Sequence, residues 1–215
     1  MTDFRQARLS MIDTQLRPAG VTTANVLRAI TAVPRERFVL EGREPVSYVD
    51  DLQPLEGGRF ILSPVHAARM IQLAEISSLD RVLDVGTASG YSSAVLSHMA
   101  RHVVALEEDA SLAATARQHV VELGLDNVEI RDGWLDAVKG ESFNVILVQG
   151  ALDCRPDELI ALLEPNGRLV VPVLRSGVAN VQVFRQDSGG VMFASEFDAT
   201  MPRLRTSVPA QEFVF

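Results

Sequence analysis

The chain holds a single cysteine, Cys154, so no internal disulfide framework can form, and the sequence suits a reducing compartment. Long apolar runs are missing as well. No stretch approaches the ~20 apolar residues of a membrane span, and Met1-Thr2-Asp3-Phe4-Arg5-Gln6 lacks the apolar core of a secretion signal. A cytoplasmic protein without membrane attachment is the expectation. Basic residues are scarce relative to acidic ones: 20 Lys and Arg against 28 Asp and Glu leave a net charge of −8. Nonspecific nucleic-acid binding calls for clustered Lys and Arg to neutralise phosphates, so that class is disfavoured. His66, His98, His102 and His119 share no ligand spacing with cysteines or carboxylates, which argues against a metal site. Core material is plentiful: 47% of the 215 residues are hydrophobic, enough for one compact domain.

The chain divides into two stretches. Residues 1–80 read as an N-terminal helical extension with a loop. Within it, Thr22 or Thr23 caps a helix over Ala24–Ala32, and Pro34 ends that segment. Residues 51–62 form a loop or short strands around Gly57-Gly58. Ser63-Pro64 then opens a helix reaching about Ile76, with serine at the N-cap and proline at the first helical position. From Arg81 to 215, strands and helices alternate. Strands fall at Val82–Gly86, His102–Leu106, Val128–Ile130 and Phe143–Val148, and helices at Tyr91–Met99, Asp109–Leu123 and Asp157–Leu163. A β-rich tail follows at Leu169–Val173, Val178–Arg185 and Val191–Phe197. Short apolar strands between amphipathic helices imply an α/β fold with a mostly parallel, doubly wound sheet. The tail after Asn166-Gly167 implies an antiparallel edge.

The chemistry concentrates in Arg81-Val82-Leu83-Asp84-Val85-Gly86-Thr87-Ala88-Ser89-Gly90-Tyr91: a buried strand, a glycine-punctuated turn and a helix start. Such a turn presents backbone N–H groups to a ligand at a helix N-terminus. A dinucleotide fingerprint needs glycines at relative positions 0, 2 and 5; here these are Gly86, Ala88 and Tyr91, and two of the three fail. Spacing 0, 2, 4, with Gly86, Ala88 and Gly90 behind Asp84, fits better. It resembles the S-adenosylmethionine loop of Rossmann-like methyltransferases.

In a doubly wound sheet, ligands sit at the carboxyl ends of the strands. Asp84, with Gly86, Thr87, Ala88, Ser89 and Gly90, occupies the first such end. Its carboxylate is placed either to hold the methionyl ammonium or to partner the helix dipole. Glu107, 23 residues further on, suits a ribose diol. Adjacent Glu108 is a second candidate, unless it and Asp109 simply cap the next helix. After the third strand, Asp132-Gly133-Trp134 offers an acceptor for an adenine amino group and a ring to stack on the base, though a lone tryptophan also fits a half-buried core position. Gln149 ends the fourth strand and faces the substrate side.

Taken together, these residues resemble the protein-L-isoaspartate O-methyltransferase family, and the likeness covers most of the chain. It is carried by Met11-Ile12-x-x-Gln15-Leu16, Val33-Pro34-Arg35-x-x-Phe38-Val39, Gly57-Gly58 through Ser63-Pro64, Gly86 through Tyr91, Asp132-Gly133 and Leu163-Glu164-Pro165-Asn166-Gly167-Arg168. The resemblance implies S-adenosyl-L-methionine as cofactor and S-adenosylhomocysteine as product. It also implies a peptide or protein acceptor whose carboxylate is methylated, as in protein repair.

The family's substrate loop reads Gly-Gln-Thr-Ile-Ser-x-Pro, whereas this chain has Gly58-Arg59-Phe60-Ile61-Leu62-Ser63-Pro64. Arg59, Phe60 and Leu62 replace three polar positions. Ser63 is displaced by one residue, which turns its side chain to the other face of an extended segment. It is therefore either the helix N-cap or a residue at the reacting centre. His66, one turn into that helix, is the histidine nearest the substrate side. Arg59 either holds a carboxylate or is an exposed loop residue. Milder departures are Ala88 for the middle glycine and Asn144 for an aspartate.

Other methyl acceptors leave weaker traces. Amino-group methylation often uses an Asp/Asn-Pro-Pro-aromatic turn where this chain has Gln149-Gly150-Ala151-Leu152. A pyrimidine C5 reaction needs an activated thiolate, and Cys154 has no basic surround. Two alternatives remain: an unknown small-molecule acceptor on the same fold, or a non-catalytic cofactor-binding protein. The terminal Phe213-Val214-Phe215 is expected to pack on its own sheet or on a partner, and the oligomeric state is left open.

Overall fold

A computed structural model describes residues 3–204. The C-terminal Phe213-Val214-Phe215 lies outside the described residues. The N-terminal part carries α1 (Phe4–Met11), which runs on into a π-helical turn over Ile12–Leu16, and α2 (Ala24–Ala32). Asp3 caps α1 by accepting from the Gln6 N–H at 3.0 Å. Thr23 holds the N-cap position of α2, but its hydroxyl makes no cap bond. The job passes to Gln72, whose Oε1 accepts from the Thr22 and Thr23 N–H groups at 2.9 and 3.1 Å. Pro34 disfavours a helical residue before it, and Val33 is accordingly extended at φ −95°, ψ 122°.

A two-stranded hairpin follows, β1 (Gln53–Pro54) against β2 (Phe60–Ile61), and then α3 (Pro64–Leu73). The remainder alternates: β3 (Arg81–Val85), α4 (Tyr91–Ser97), β4 (His102–Glu107), α5 (Ala110–Glu122), β5 (Val128–Asp132), β6 (Phe143–Val148), α6 (Asp157–Ile160), β7 (Leu163–Arg175), β8 (Val178–Asp187) and β9 (Gly190–Ala199). The main sheet has seven strands in the order β5-β4-β3-β6-β7-β8-β9. β3 through β7 pair in parallel, and β7–β8 and β8–β9 are antiparallel. This is the doubly wound sheet with an antiparallel edge that the alternation of elements implied.

Period-two alternation along the strands builds two cores. Val82, Val103 and Val145 face one way and pack with Met11, Val26, Ile30 and Leu62 of the N-terminal part. Leu83, Val104, Ile146 and Leu169 face the other way and pack with Val138 and Leu159. The N-terminal helices and the sheet thus share one hydrophobic cluster. Among the described residues no helix is long and apolar enough to cross a membrane.

Several boundaries differ from the sequence reading, β7 most of all, which starts at Leu163 rather than Leu169. α6 stops at Ile160 rather than Leu163, because Leu163 already pairs with Phe143 at the start of β7. The next pair joins Arg168 to Val145, so Glu164-Pro165-Asn166-Gly167 is accommodated as a bulge with Asn166 at φ +63°. Gly167 is needed there, since a Cβ would lie 2.7 Å from the Glu164 carbonyl oxygen. α3 ends at Leu73 instead of Ile76, and Glu75 turns to φ +47°.

Candidate active site

Strand β3 lies between β4 and β6, the point where the winding reverses, and the crevice beyond its carboxyl end is where an open α/β sheet binds ligands. Asp84, Glu107 and Asp132 converge on that edge from three adjacent strands, with Glu107 and Asp132 directly paired in register.

Asp84 is completely buried. Its Oδ2 accepts from the Ser92 and Ser93 hydroxyls, each at 2.6 Å, and its Oδ1 accepts from the Gln149 amide at 2.6 Å. Burial pushes its pKa up, while these hydrogen bonds pull it down. The carboxylate is therefore wrapped by protein donors and does not open on the crevice as a bare ammonium site would. Ser92 and Gln149, which it fixes, do line the cavity there. The sequence reading missed the two serines, although their place in the first turn after a glycine loop was a usable signal.

Glu107 is equally buried. Its Oε2 accepts from the Ala88 N–H at 2.7 Å, and its Oε1 accepts from the Asp109 N–H at 3.1 Å and from Arg59 Nη1 at 2.8 Å. Burial raises its pKa and Arg59 opposes the shift. The Ala88 bond explains why residue 88 adopts φ +53° despite carrying a Cβ. Asp109, not Glu108, caps α5, accepting from the Ser111 and Leu112 N–H groups at 2.9 and 3.1 Å; Glu108 is half-buried beside it.

Asp132 is exposed and paired with Arg117 at 2.5 Å. Gly133, at φ +107°, donates to the Glu107 carbonyl at 2.9 Å, which ties the ends of β4 and β5 together. Trp134 is half-buried against the core below the sheet. Within the glycine turn, Thr87 Oγ1 lies 2.7 Å from Ser93 Oγ, the Ser89 hydroxyl donates to the Phe38 carbonyl at 2.7 Å, and Gly90 starts α4 at φ +93°.

Arg59 is not an exposed loop residue. It is only 6% accessible, its Nη1 holds Glu107, its Nη2 donates to the Gly86 carbonyl at 3.1 Å, and its Nε is buried without a hydrogen-bond partner. A second side chain that the sequence did not flag, Leu204, fills the space beside it. A Cβ built on Gly86 would lie 2.5 Å from Leu204 Cδ1 and 3.0 Å from Arg59 Nη2. Backbone bonds hold this segment over the strand ends: Ala151 N–H to the Pro202 carbonyl and Leu204 N–H to the Ala151 carbonyl, both 2.9 Å. Between loop and crevice remains a cavity of about 10 Å³, lined by Phe60, Ile61, Leu62, Ala67, Gly86, Thr87, Tyr91, Ser92 and Gln149. That is room for about one water molecule.

Ser63 takes the N-cap of α3, accepting from the His66 N–H at 3.4 Å, and its Oγ lies 3.0 Å from His66 Nδ1. The loop's contribution to the cavity wall is Phe60, Ile61 and Leu62 instead. The loop is pinned from behind by Arg35, a fully buried guanidinium that donates to the carbonyls of Ser47 and Leu62, each at 2.7 Å. Ser63→Ala is expected to cost about 1 kcal/mol of stability, the value of an N-cap, in chemical denaturation, without weakening ligand binding at the strand ends.

Burial lowers the pKa of His66, with Arg69 adding to the effect and Asp50 opposing it. A depressed folded-state pKa contributes stability above the ordinary histidine value of about 6.5 and loses it as pH falls through the lowered value. In denaturation midpoints measured from pH 7 to 5, His66→Gln should therefore lose stability less steeply than the wild type, by less than about 1 kcal/mol because the ring is half-exposed.

Residues 7–201 match the family described as protein-L-isoaspartate(D-aspartate) O-methyltransferase. The chain belongs to this family. A protein-L-isoaspartate O-methyltransferase of Koribacter versatilis (strain Ellin345) is 38% identical over 191 residues, 88% of this chain and 86% of the relative. One of Serratia proteamaculans (strain 568) is 35% identical over 200 residues, 92% of this chain and 96% of the relative. Among solved structures, a putative protein-L-isoaspartate O-methyltransferase from Plasmodium falciparum, in complex with S-adenosyl-L-homocysteine, superposes with a TM-score of 0.80 at 21% identity, over 92% of this chain and 98% of that one. Family and fold together make the chain a Rossmann-like, S-adenosylmethionine-dependent methyltransferase. The strand ends carry the group types that such a cofactor calls for, hydroxyls, amides and a carboxylate. Most of the turn's backbone N–H groups, however, already bond within the protein: Gly86 and Thr87 to the Leu106 carbonyl, Ala88 to Glu107 and Gly90 to the Thr87 carbonyl. Arg59 and Leu204 lie against Gly86 at these strand ends, and the cavity beside them is about 10 Å³.

Proposed function

We propose that the protein uses S-adenosylmethionine to methylate a carboxylate of a peptide or protein, as its relatives' names describe. The observation that carries this reading is the row of strand-end carboxylates, Asp84, Glu107 and Asp132, around a left-handed glycine turn. Glu107 is the ribose ligand, Asp132 accepts from the adenine amino group, Trp134 flanks the base, and the N–H groups of Gly86 to Gly90 with Gly133 shape the turn that receives the cofactor. Asp84 acts through Ser92 and Gln149, keeping their polar atoms aimed at the cavity. The stretch 1–80 forms the wall on the acceptor side and 81–204 the cofactor side.

The bound cofactor supplies an electrophilic methyl group on sulfur. A carboxylate is already ionised at neutral pH, with an ordinary pKa near ~4, so the protein need only align it and exclude water. Phe60 and Leu62, both buried, serve that exclusion. They also favour a second reading, in which the acceptor differs from an isoaspartyl residue. Apolar groups in place of the family's threonine and serine leave the polar atoms of an isoaspartyl peptide unpaired, at about 1–3 kcal/mol each.

Methyl transfer to an isoaspartyl peptide by the wild type and by Leu62→Ser separates the readings. Measurable transfer that rises about tenfold in kcat/KM with the serine supports a carboxylate site impaired by its loop. Transfer by neither form rejects the isoaspartyl acceptor.

A further inference from the structure

Glu107, the carboxylate assigned above to the ribose, has both oxygens engaged by protein donors, and the only charged one is Arg59 from the substrate loop. The pair is desolvated: the Arg59 and Glu107 side chains are 7% and 0% accessible. The same guanidinium touches the Gly86 carbonyl and lies within 3.0 Å of where a Gly86 Cβ would stand, on the face a ligand must approach. One of its donors, Nε, is buried with no partner. A guanidinium placed for its own benefit would not leave a buried donor unpaired, since that costs about 1–3 kcal/mol.

Arg59 is also tethered at the mouth of the crevice. Its carbonyl accepts from the Leu55 N–H at 2.8 Å in the hairpin, and three residues on the Leu62 carbonyl is held by Arg35. Released from Glu107, its side chain remains on the acceptor side, where a buried or half-buried cation requires an anionic partner.

We propose that Arg59 is an exchangeable ligand of Glu107: it closes the cofactor crevice in the free protein, and on cofactor binding it gives Glu107 up to the ribose and turns to a carboxylate of the acceptor. This rests on the cofactor role assigned to Glu107. Arg59 is then a specificity-determining residue that selects acidic acceptors, and it couples their binding to that of the cofactor. Leu204 contributes to the closure by covering Gly86 but takes no part in the exchange.

Calorimetric titration of S-adenosylhomocysteine into the full chain tests the proposal. Arg59→Gln should bind about tenfold more tightly than the wild type or better, because the crevice no longer has to open against an ion pair. Leu204→Ala, which leaves Glu107 paired, should give a smaller gain. In about 0.1 M sodium acetate, against sodium chloride of equal ionic strength, wild-type binding should tighten about threefold, as a carboxylate takes the freed guanidinium. Arg59→Gln should not respond to acetate. Equal or weaker binding by Arg59→Gln, or a wild type indifferent to acetate, overturns the exchange while leaving the cofactor assignment intact. Absence of binding in every form, with melting curves showing folded protein, overturns the cofactor assignment itself and the exchange with it.

Discussion

Glu107→Ala should destabilise the fold by about 3 kcal/mol, and adding Arg59→Ala should recover most of that loss. The single change strands a desolvated guanidinium that already has one unpaired donor, and it removes the acceptor of the Ala88 and Asp109 N–H groups. The double variant removes the buried charge altogether. What it does not restore is the anchor for Ala88, a residue held at φ +53°, so recovery stays incomplete. Urea unfolding of the wild type, the two single variants and the double variant completes the cycle. Single-variant losses that merely add in the double variant would show that Arg59 and Glu107 are not coupled.

Asp84→Asn should weaken S-adenosylhomocysteine binding by about 10- to 100-fold, the loss of about two charge-assisted hydrogen bonds' worth of positioning, while changing stability far less. An asparagine amide can accept on one side only, so Ser92, Ser93 and Gln149 can no longer all point as they do. Stability is buffered because burial makes the carboxylate costly to ionise in place. A raised folded-state pKa contributes stability that is present below the unfolded value of about 4 and lost as pH rises through the folded value. The asparagine variant lacks that loss, so its stability relative to the wild type should improve as pH increases from about 4. Isothermal titration and denaturation at several pH values measure both halves. Undiminished ligand binding by a folded Asp84→Asn would remove Asp84 from the site.

The fold was legible because its signals are local. Val82, Val103 and Val145 alternate with Leu83, Val104 and Ile146 in short apolar strands, Asp109 and Ser63-Pro64 mark helix starts, and Asn166-Gly167 marks the approach to the antiparallel edge. Boundaries failed where tertiary pairing overrode local preference. Leu163 continues a helical pattern yet pairs with Phe143.

That Asp84, Glu107 and Asp132 stand at the ends of adjacent strands was equally legible, because a doubly wound sheet fixes where its carboxyl ends converge. Their present partners were not. Nothing within a few residues of Arg59 indicates that it reaches Glu107, 48 positions away. Nothing near Leu204 indicates that it lies against Gly86 and Gly150. Both contacts depend on chain segments that meet only after the sheet has formed. The displaced serine behaved as its one-residue offset implied, capping α3 and leaving Leu62 to face the cavity.

The most direct test of the account is the chemical lability of the product. The protein is incubated with methyl-labelled S-adenosylmethionine and an acidic protein acceptor, and the recovered acceptor is exposed to mild base. Carboxylate methylation predicts label on the acceptor that base releases as methanol, since a methyl ester hydrolyses under those conditions. Label that survives base, and so resides on nitrogen, carbon or sulfur, would contradict the account.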